Sequence, residues 1–241
     1  MSLEEHAEWP AVRWGASTDI GPVRSENEDS WLAVPPVFAV ADGMGGHLGG
    51  AQASSSAVIT LQEFLSADRL GNRPVDLVDL SVAIDAAATA VASLAPIDNP
   101  ASAPGTTLSG VMVLRTAEGP YWLSFNVGDS RVYVVGGGGI RQLTHDHSWV
   151  QSLIDEGRIT PEQAATHPHR SLILKVLNGA GDTDPDFFEL HVRKGDRLLF
   201  CSDGLSGLMT QDELHELMGL DDLDECVTQL AALANEHGGH D

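Results

Sequence analysis

Three aspartates follow short apolar runs in this chain, and a fourth closes a glycine-rich stretch. They lie in Val37-Phe38-Ala39-Val40-Ala41-Asp42-Gly43, Phe125-Asn126-Val127-Gly128-Asp129, Leu198-Leu199-Phe200-Cys201-Ser202-Asp203-Gly204 and Gly238-Gly239-His240-Asp241. A buried β-strand delivers its last side chains to the rim of its sheet, and a glycine there lets backbone and ligand come close. Carboxylates that converge on one rim repel each other unless a cation neutralises them. Hard oxygen ligands without a thiolate or paired-histidine pattern select Mg2+ or Mn2+. The spacing therefore predicts a metal-dependent hydrolase.

Other motifs stand between these. Arg24-Ser25-Glu26-Asn27-Glu28-Asp29 is a charged cluster after a Gly21-Pro22 turn, and by itself it reads as a solvated loop. Asp42-Gly43-Met44-Gly45-Gly46-His47 opens a helix, but the G-x-G-x-x-G spacing of a dinucleotide site is absent and no P-loop lysine follows. Gly105-Thr106-Thr107-Leu108 starts a strand, Gly128-Asp129-Ser130-Arg131 ends one, and Thr144-His145-Asp146-His147 follows. The pairs His145/His147 and His167/His169 have a spacing that on a strand would offer zinc two rings. In loop-like segments they read as surface or flap packing. Trp14 and Trp149 read as core or flap anchors, and Asp19, Asp68, Asp182, Asp184 and Asp186 as solvated.

The elements that must position these residues follow from periodicity. A first strand is expected over Val12–Thr18, with short strands at Ser30–Val34 and Val37–Ala41 meeting at Pro35-Pro36. Gly50–Leu65 reads as a helix. So does Val75–Leu94, on the stripe Leu77, Leu80, Ile84, Ala87, Val91 and Leu94, with Asp76 and Asp79 complementing its dipole. Thr106–Arg115, Tyr121–Val127 and Arg131–Val135 are β-rich runs, with Glu118-Gly119-Pro120 and Gly136–Gly139 as turns. Such close spacing requires antiparallel pairing. A short helix over Ser148–Glu156 is closed by Gly157, and Thr160-Pro161-Glu162-Gln163 caps another. Thr166–Asp186 reads as an irregular surface excursion near the site. Strands at Phe187–Val192 and Arg197–Ser202 and helices at Asp212–Met218 and Leu223–Glu236 complete the chain. This order predicts an α+β fold, sheet packed on sheet with helices outside.

The 241 residues suffice for one large domain or two small ones, and one is expected, with Asp146–Asp186 as a mobile subdomain. Thirty-five acids against 13 bases give a formal charge of −22, which disfavours nucleic acids and anionic membranes as partners. Cys201 and Cys226 give no disulfide framework, and Cys201 reads as a small core residue. A reducing, cytoplasmic setting is expected. Met1–Pro10 has no apolar segment of a signal peptide, and no run has the length to span a bilayer.

With these motifs in this order, the sequence resembles the metal-dependent protein phosphatase family, the type 2C serine/threonine phosphatases, in its bacterial branch. The resemblance runs from about Trp14 to Asp241. It implies a four-layer αββα sandwich, two mainly antiparallel sheets flanked by helices, with a flap subdomain at roughly 146–186. It also implies a two-metal centre of Mn2+ or Mg2+ at one end of the sandwich. By motif, Asp42 would bridge both ions, and the Gly43 carbonyl, Asp203 and Asp241 would complete their coordination. Glu28 and Asp29 would hold water around the ions, Arg24 would bind the substrate phosphate, and Asp129 would hold a third, weaker ion. Arg24, Asp42 and Asp203 would carry the reaction. The chain departs from the family at Met44, where many eukaryotic members have a histidine, and at Gly207, where members often carry another aspartate. The family usually continues its last aspartate into a closing strand, so that strand is expected to be missing after 241.

The implied chemistry suits the residues. Two divalent ions about 4 Å apart can share a water, lower its pKa towards about 7 and deliver hydroxide in line with the leaving group. Arg24 offers a planar fork to two phosphate oxygens. The expected function is a phosphoserine/phosphothreonine protein phosphatase, in bacterial signalling with serine/threonine kinases and their substrates as partners, working as a monomer. A catalytically silent relative serving as a binding or scaffold module is the alternative. A two-metal nuclease is disfavoured by charge.

Overall fold

The computed structural model describes residues 12–45, 49–71, 73, 75–99, 102–116, 119–136, 139–179, 183–191 and 193–239. The first half runs β1 (Asp29–Val34), β2 (Val37–Met44), α1 (Gly49–Phe64), α2 (Ala67–Leu70) and α3 (Leu77–Ala92). Then come β3 (Gly105–Thr106), β4 (Leu108–Thr116), β5 (Gly119–Val127), β6 (Arg131–Gly136) and β7 (Gly139–Gln142). The remainder is α4 (Trp149–Asp155), α5 (Pro161–Ala165), β8 (Asp186–Leu190), β9 (Arg197–Cys201), α6 (Asp203–Ser206), α7 (Gln211–Leu217) and α8 (Leu223–Glu236).

All pairings between named strands are antiparallel. One six-stranded sheet has the order β1-β2-β4-β5-β8, with β3 beside the end of β2; the other has the order β7-β6-β9. Strand side chains alternate between faces, and here both faces are covered, so the strands read as nearly continuous apolar runs. In β4, Leu108, Met112 and Leu114 pack towards α1 and α3, whereas Val111 and Val113 face the second sheet. In β6, Val132 and Val134 face the first sheet, and Tyr133 and Val135 face α7 and α8. Leu198 and Phe200 against Leu199 and Cys201 repeat the alternation in β9. The layers are therefore helix, sheet, sheet, helix, as the resemblance implies.

Helix α3 begins at a capping box in which Asp76 accepts from the Asp79 N–H and Asp79 accepts from the Asp76 N–H, each at 3.0 Å. Its buried stripe is Leu80, Ile84, Ala87 and Val91; Leu77, expected on that stripe, is 45% exposed. Ser148 caps α4, Gly157 follows it with φ +68°, and Thr160 with Gln163 forms the box that starts α5.

The structure corrects several expectations. Residues 12–20 form no strand: Trp14 meets Phe38 edge-on at 5.7 Å and Val12 packs between the sheets, contacts made by side chains without a ladder. Gly119 and Pro120 belong to β5 rather than to a turn, and β7 is too short and polar to be read from sequence. Residues 166–179 and 183–185 are irregular as expected but are not all surface. Leu177 pairs with Thr106 and lies fully buried in the core beneath α1 and α3. Among the described residues, no helix is long and apolar enough to cross a membrane.

Candidate metal centre

The β1–β2 hairpin places Asp29 directly opposite Asp42. Asp42 lies an even number of residues from Phe38, which faces the second sheet, so the pleat sends its carboxylate to that same side. Like charges opposite each other on adjacent strands are destabilising, and a cation would relieve them. Ser202, which follows β9, donates from Oγ to Asp29 Oδ2 at 2.7 Å, which draws the neighbouring Asp203 to the same rim. Asp203 is the first residue of α6 rather than a strand terminus, and the Ser202 side chain makes no capping bond to that helix.

Gly43 sits where strand, helix and Glu28 converge. Its N–H donates to the Glu28 carbonyl at 3.1 Å, and a Cβ on it would overlap Gly50 O and come within 2.6 Å of Glu28 O. A Cβ on Gly50 would overlap the Glu28 carboxylate. The tight junction, which only glycines permit, brings Glu28 beside the Gly43 backbone. The Arg24 side chain is half exposed, with Nη1 3.7 Å from Glu28 Oε2.

Asp129 occupies the turn after β5. Its carboxylate is buried, and Oδ1 has no hydrogen-bond partner. Burial, then the Asp203 charge and the Asp146 charge, push its carboxyl up to about 7. A buried carboxylate oxygen without a hydrogen-bond partner, within the influence of other carboxylates, is what a divalent cation satisfies, and an all-oxygen donor set suits Mn2+ or Mg2+. Three neighbours fix the turn. Arg131 donates to Asp146 from Nε (3.0 Å to each oxygen) and from Nη2 (2.6 Å). Asn126 Nδ2 donates to the carbonyls of Gly128 (3.1 Å) and His145 (2.9 Å). The Gly128 N–H donates to His147 Nδ1 at 3.1 Å, while the His147 N–H donates to the Gly128 carbonyl at 2.9 Å.

The structure thus links Asp29, Asp42 and Gly43 on the first sheet with Asp129 and Asp203 at the second, and Glu28 and Arg24 adjoin Gly43. Asp241, His47 and His240 lie outside the described residues. Among the described residues, no three His, Cys, Asp or Glu side chains form a group that could hold a metal by themselves. The set read from sequence also draws on Asp241 and on a backbone carbonyl.

The histidine pairs take other partners. His145 meets Asp155 at 2.8 Å, and His147 is buried against Gly128. Asp186, expected to be solvated, lies 3.2 Å from His147 Nε2, off the line of a hydrogen bond, and 3.9 Å from Lys175 Nζ. Thr106, Thr107, Ser130, Asp146 and Ser202 also belong to the centre, through hydrogen bonds and ion pairs that the motifs alone do not assign. Their only mark in the sequence is position beside motif glycines and aspartates, which does not name their partners.

The model of the family described as Protein phosphatase 2C matches residues 25–239. The serine/threonine protein phosphatase PstP of Mycobacterium tuberculosis is 37% identical over 230 residues, 95% of this chain but 43% of that protein, so the chain spans less than half of that relative. The serine/threonine phosphatase stp of Listeria monocytogenes is 32% identical over 237 residues, covering 93% of this chain and 90% of that protein. The crystal structure of the PstP catalytic domain in complex with two manganese ions superposes with a TM-score of 0.82 at 35% identity, covering 95% of this chain and 94% of that one.

Proposed function

Because the chain belongs to the protein phosphatase 2C family, we propose that it is a metal-dependent phosphatase of phosphoserine and phosphothreonine in proteins. One observation carries the reading. Asp29 stands opposite Asp42, and Ser202 ties Asp29 to the strand that leads into Asp203, so acids far apart in the chain share one rim. A scaffold without chemistry has no use for so many acids gathered in one place.

In this reading Asp42, the Gly43 carbonyl, Asp203 and Asp241 hold two Mn2+ or Mg2+ ions and Asp129 holds a third. When bound, the ions supply positive charge to a phosphate dianion and acidify the attacking water. Glu28 and Asp29 orient water by accepting its hydrogen bonds. Arg24, half exposed and braced by Glu28, offers its planar fork to two oxygens of a phosphate arriving from solvent. Burial pushes the Cys201 thiol up to about 12, so it is no thiolate nucleophile at neutral pH. The proposal covers one catalytic domain, with residues 146–186 as its flap. Its partners are phosphorylated proteins, among them serine/threonine kinases and their substrates, met as a monomer in the cytoplasm. The charge of −22 speaks against nucleic acid.

The test is phosphate release from a phosphothreonine peptide and from a small aryl phosphate, with and without Mn2+. The protein should act only with the ion. Asp42→Ala and Asp203→Ala should each lose more than about a hundredfold, beyond the effect of outer partners of a metal. A protein that binds Mn2+ yet releases no phosphate would leave the silent binding module as the reading; full activity in either variant would sink the assignment.

A further inference from the structure

A buried polar network that the proposed chemistry does not use lies between Asp42 and Asp129. Thr106, Thr107, Ser109, Asn126 and Ser130 are all fully buried. The Asp42 N–H donates to Thr107 Oγ1 at 2.9 Å, and the Thr107 N–H donates back to the Asp42 carbonyl at 2.9 Å. The same carbonyl accepts from Thr106 Oγ1, also at 2.9 Å. Thr107 Oγ1 then lies 2.7 Å from Ser130 Oγ. Ser130, next in the chain to Asp129, is held from below by Ser109, whose hydroxyl donates to the Ser130 carbonyl at 2.8 Å. The Thr107 methyl supports the other side of the same turn: a Cβ on Gly128, which has φ +107°, would stand 2.6 Å from Thr107 Cγ2.

Hydroxyls kept in a dry interior, each with its partner, specify one geometry, whereas apolar side chains of similar shape would tolerate several. Here the geometry specified is the offset between two carboxylates on different elements. We propose that Thr107 and Ser130 are a positioning pair that locks the Asp129 turn against the Asp42 strand, so that ions held at the two aspartates sit at a fixed separation. Thr107 acts through the Asp42 backbone, and Ser130 acts through its chain neighbour. The inference rests on the reading of Asp42 and Asp129 as metal ligands.

The experiment is a Mn2+ titration followed by electron paramagnetic resonance of the free ion, which counts bound ions and ranks their affinities without turnover. Asp129→Asn should lose one ion. Ser130→Ala leaves the Asp42 N–H its acceptor and should weaken that same ion by roughly tenfold, the scale on which outer partners of a metal act. Thr107→Val should weaken all ions, and Thr107→Ser, which keeps the hydroxyl, should bind like the parent. If Thr107→Val fails to fold, Ser130→Ala and Thr107→Ser still decide the matter. A Ser130→Ala titration that matches the parent while Asp129→Asn loses an ion overturns the pair and leaves the metal reading standing. Weakening in Thr107→Ser as large as in Ser130→Ala overturns it too, because the methyl would then be the support. An Asp129→Asn protein that keeps every ion overturns the metal reading and the pair with it.

Discussion

At the residue scale, the carboxylates at the rim trade stability for binding. Asp29 and Asp42 face each other across a strand pair, and directly opposed like charges on neighbouring strands cost on the order of 1 kcal/mol or less, a cost that a bound cation would lower. Asp29→Asn keeps an acceptor for the Ser202 hydroxyl and removes one charge. In excess chelator it should raise Tm above the parent's, while increasing the Mn2+ concentration needed for half-maximal activity; a lower Tm in chelator would mean that the pair is not under charge strain. Arg24 has a different task. Charge-assisted hydrogen bonds contribute about 1.5–3 kcal/mol, so Arg24→Ala should raise KM for a phosphopeptide about tenfold or more at unchanged Mn2+ affinity. Loss of Mn2+ binding in that variant would reassign Arg24 to the metal centre.

At the element scale, the segment that follows Asp146 is rooted on the Asp129 turn by His147. Its Nδ1 accepts from the Gly128 N–H, and its other face meets Asp186, with Lys175 and His145 also near. Burial holds the imidazole pKa below its usual value, against the opposing pull of Asp186. The unfolded chain therefore binds a proton that the folded protein refuses. This stabilisation is complete above the ordinary histidine range and is lost as pH falls through the depressed folded value. Protonation would also turn Nδ1 from acceptor to donor, facing another N–H. Limited proteolysis within 146–186 should accelerate as pH drops below about 6.5, and His147→Asn should flatten that acid dependence. Equal acid sensitivity in parent and variant would remove His147 from this role.

At the scale of the whole molecule, metal and fold are linked by mass action. Mn2+ at a hundred times its dissociation constant should add about 2.7 kcal/mol per ion, visible as a rise in Tm that chelator reverses, and chelator should abolish turnover in parallel. The layers themselves were legible from alternation, because both faces of each sheet are covered and runs such as Leu198–Cys201 carry their facing in their order. Alternation was also where the reading failed. Val12–Thr18 has apolar residues at strand-like spacing, but they dock by side chain alone. The rim aspartates were legible because glycine and an apolar run flank them. The hydroxyls of Thr107, Ser130 and Ser202 were not, because each acts on a partner at least 23 residues away and a lone Ser or Thr carries no local signature of its target. That distance has a consequence for synthesis. Ser202 is made 173 residues after Asp29, a delay on the order of ten seconds or more at ribosomal speeds. The amino-terminal hairpin therefore leaves the ribosome with its acids already in place, and the clasp that gathers them arrives only near the end of translation. A nascent chain halted early carries half a cation trap and nothing to close it.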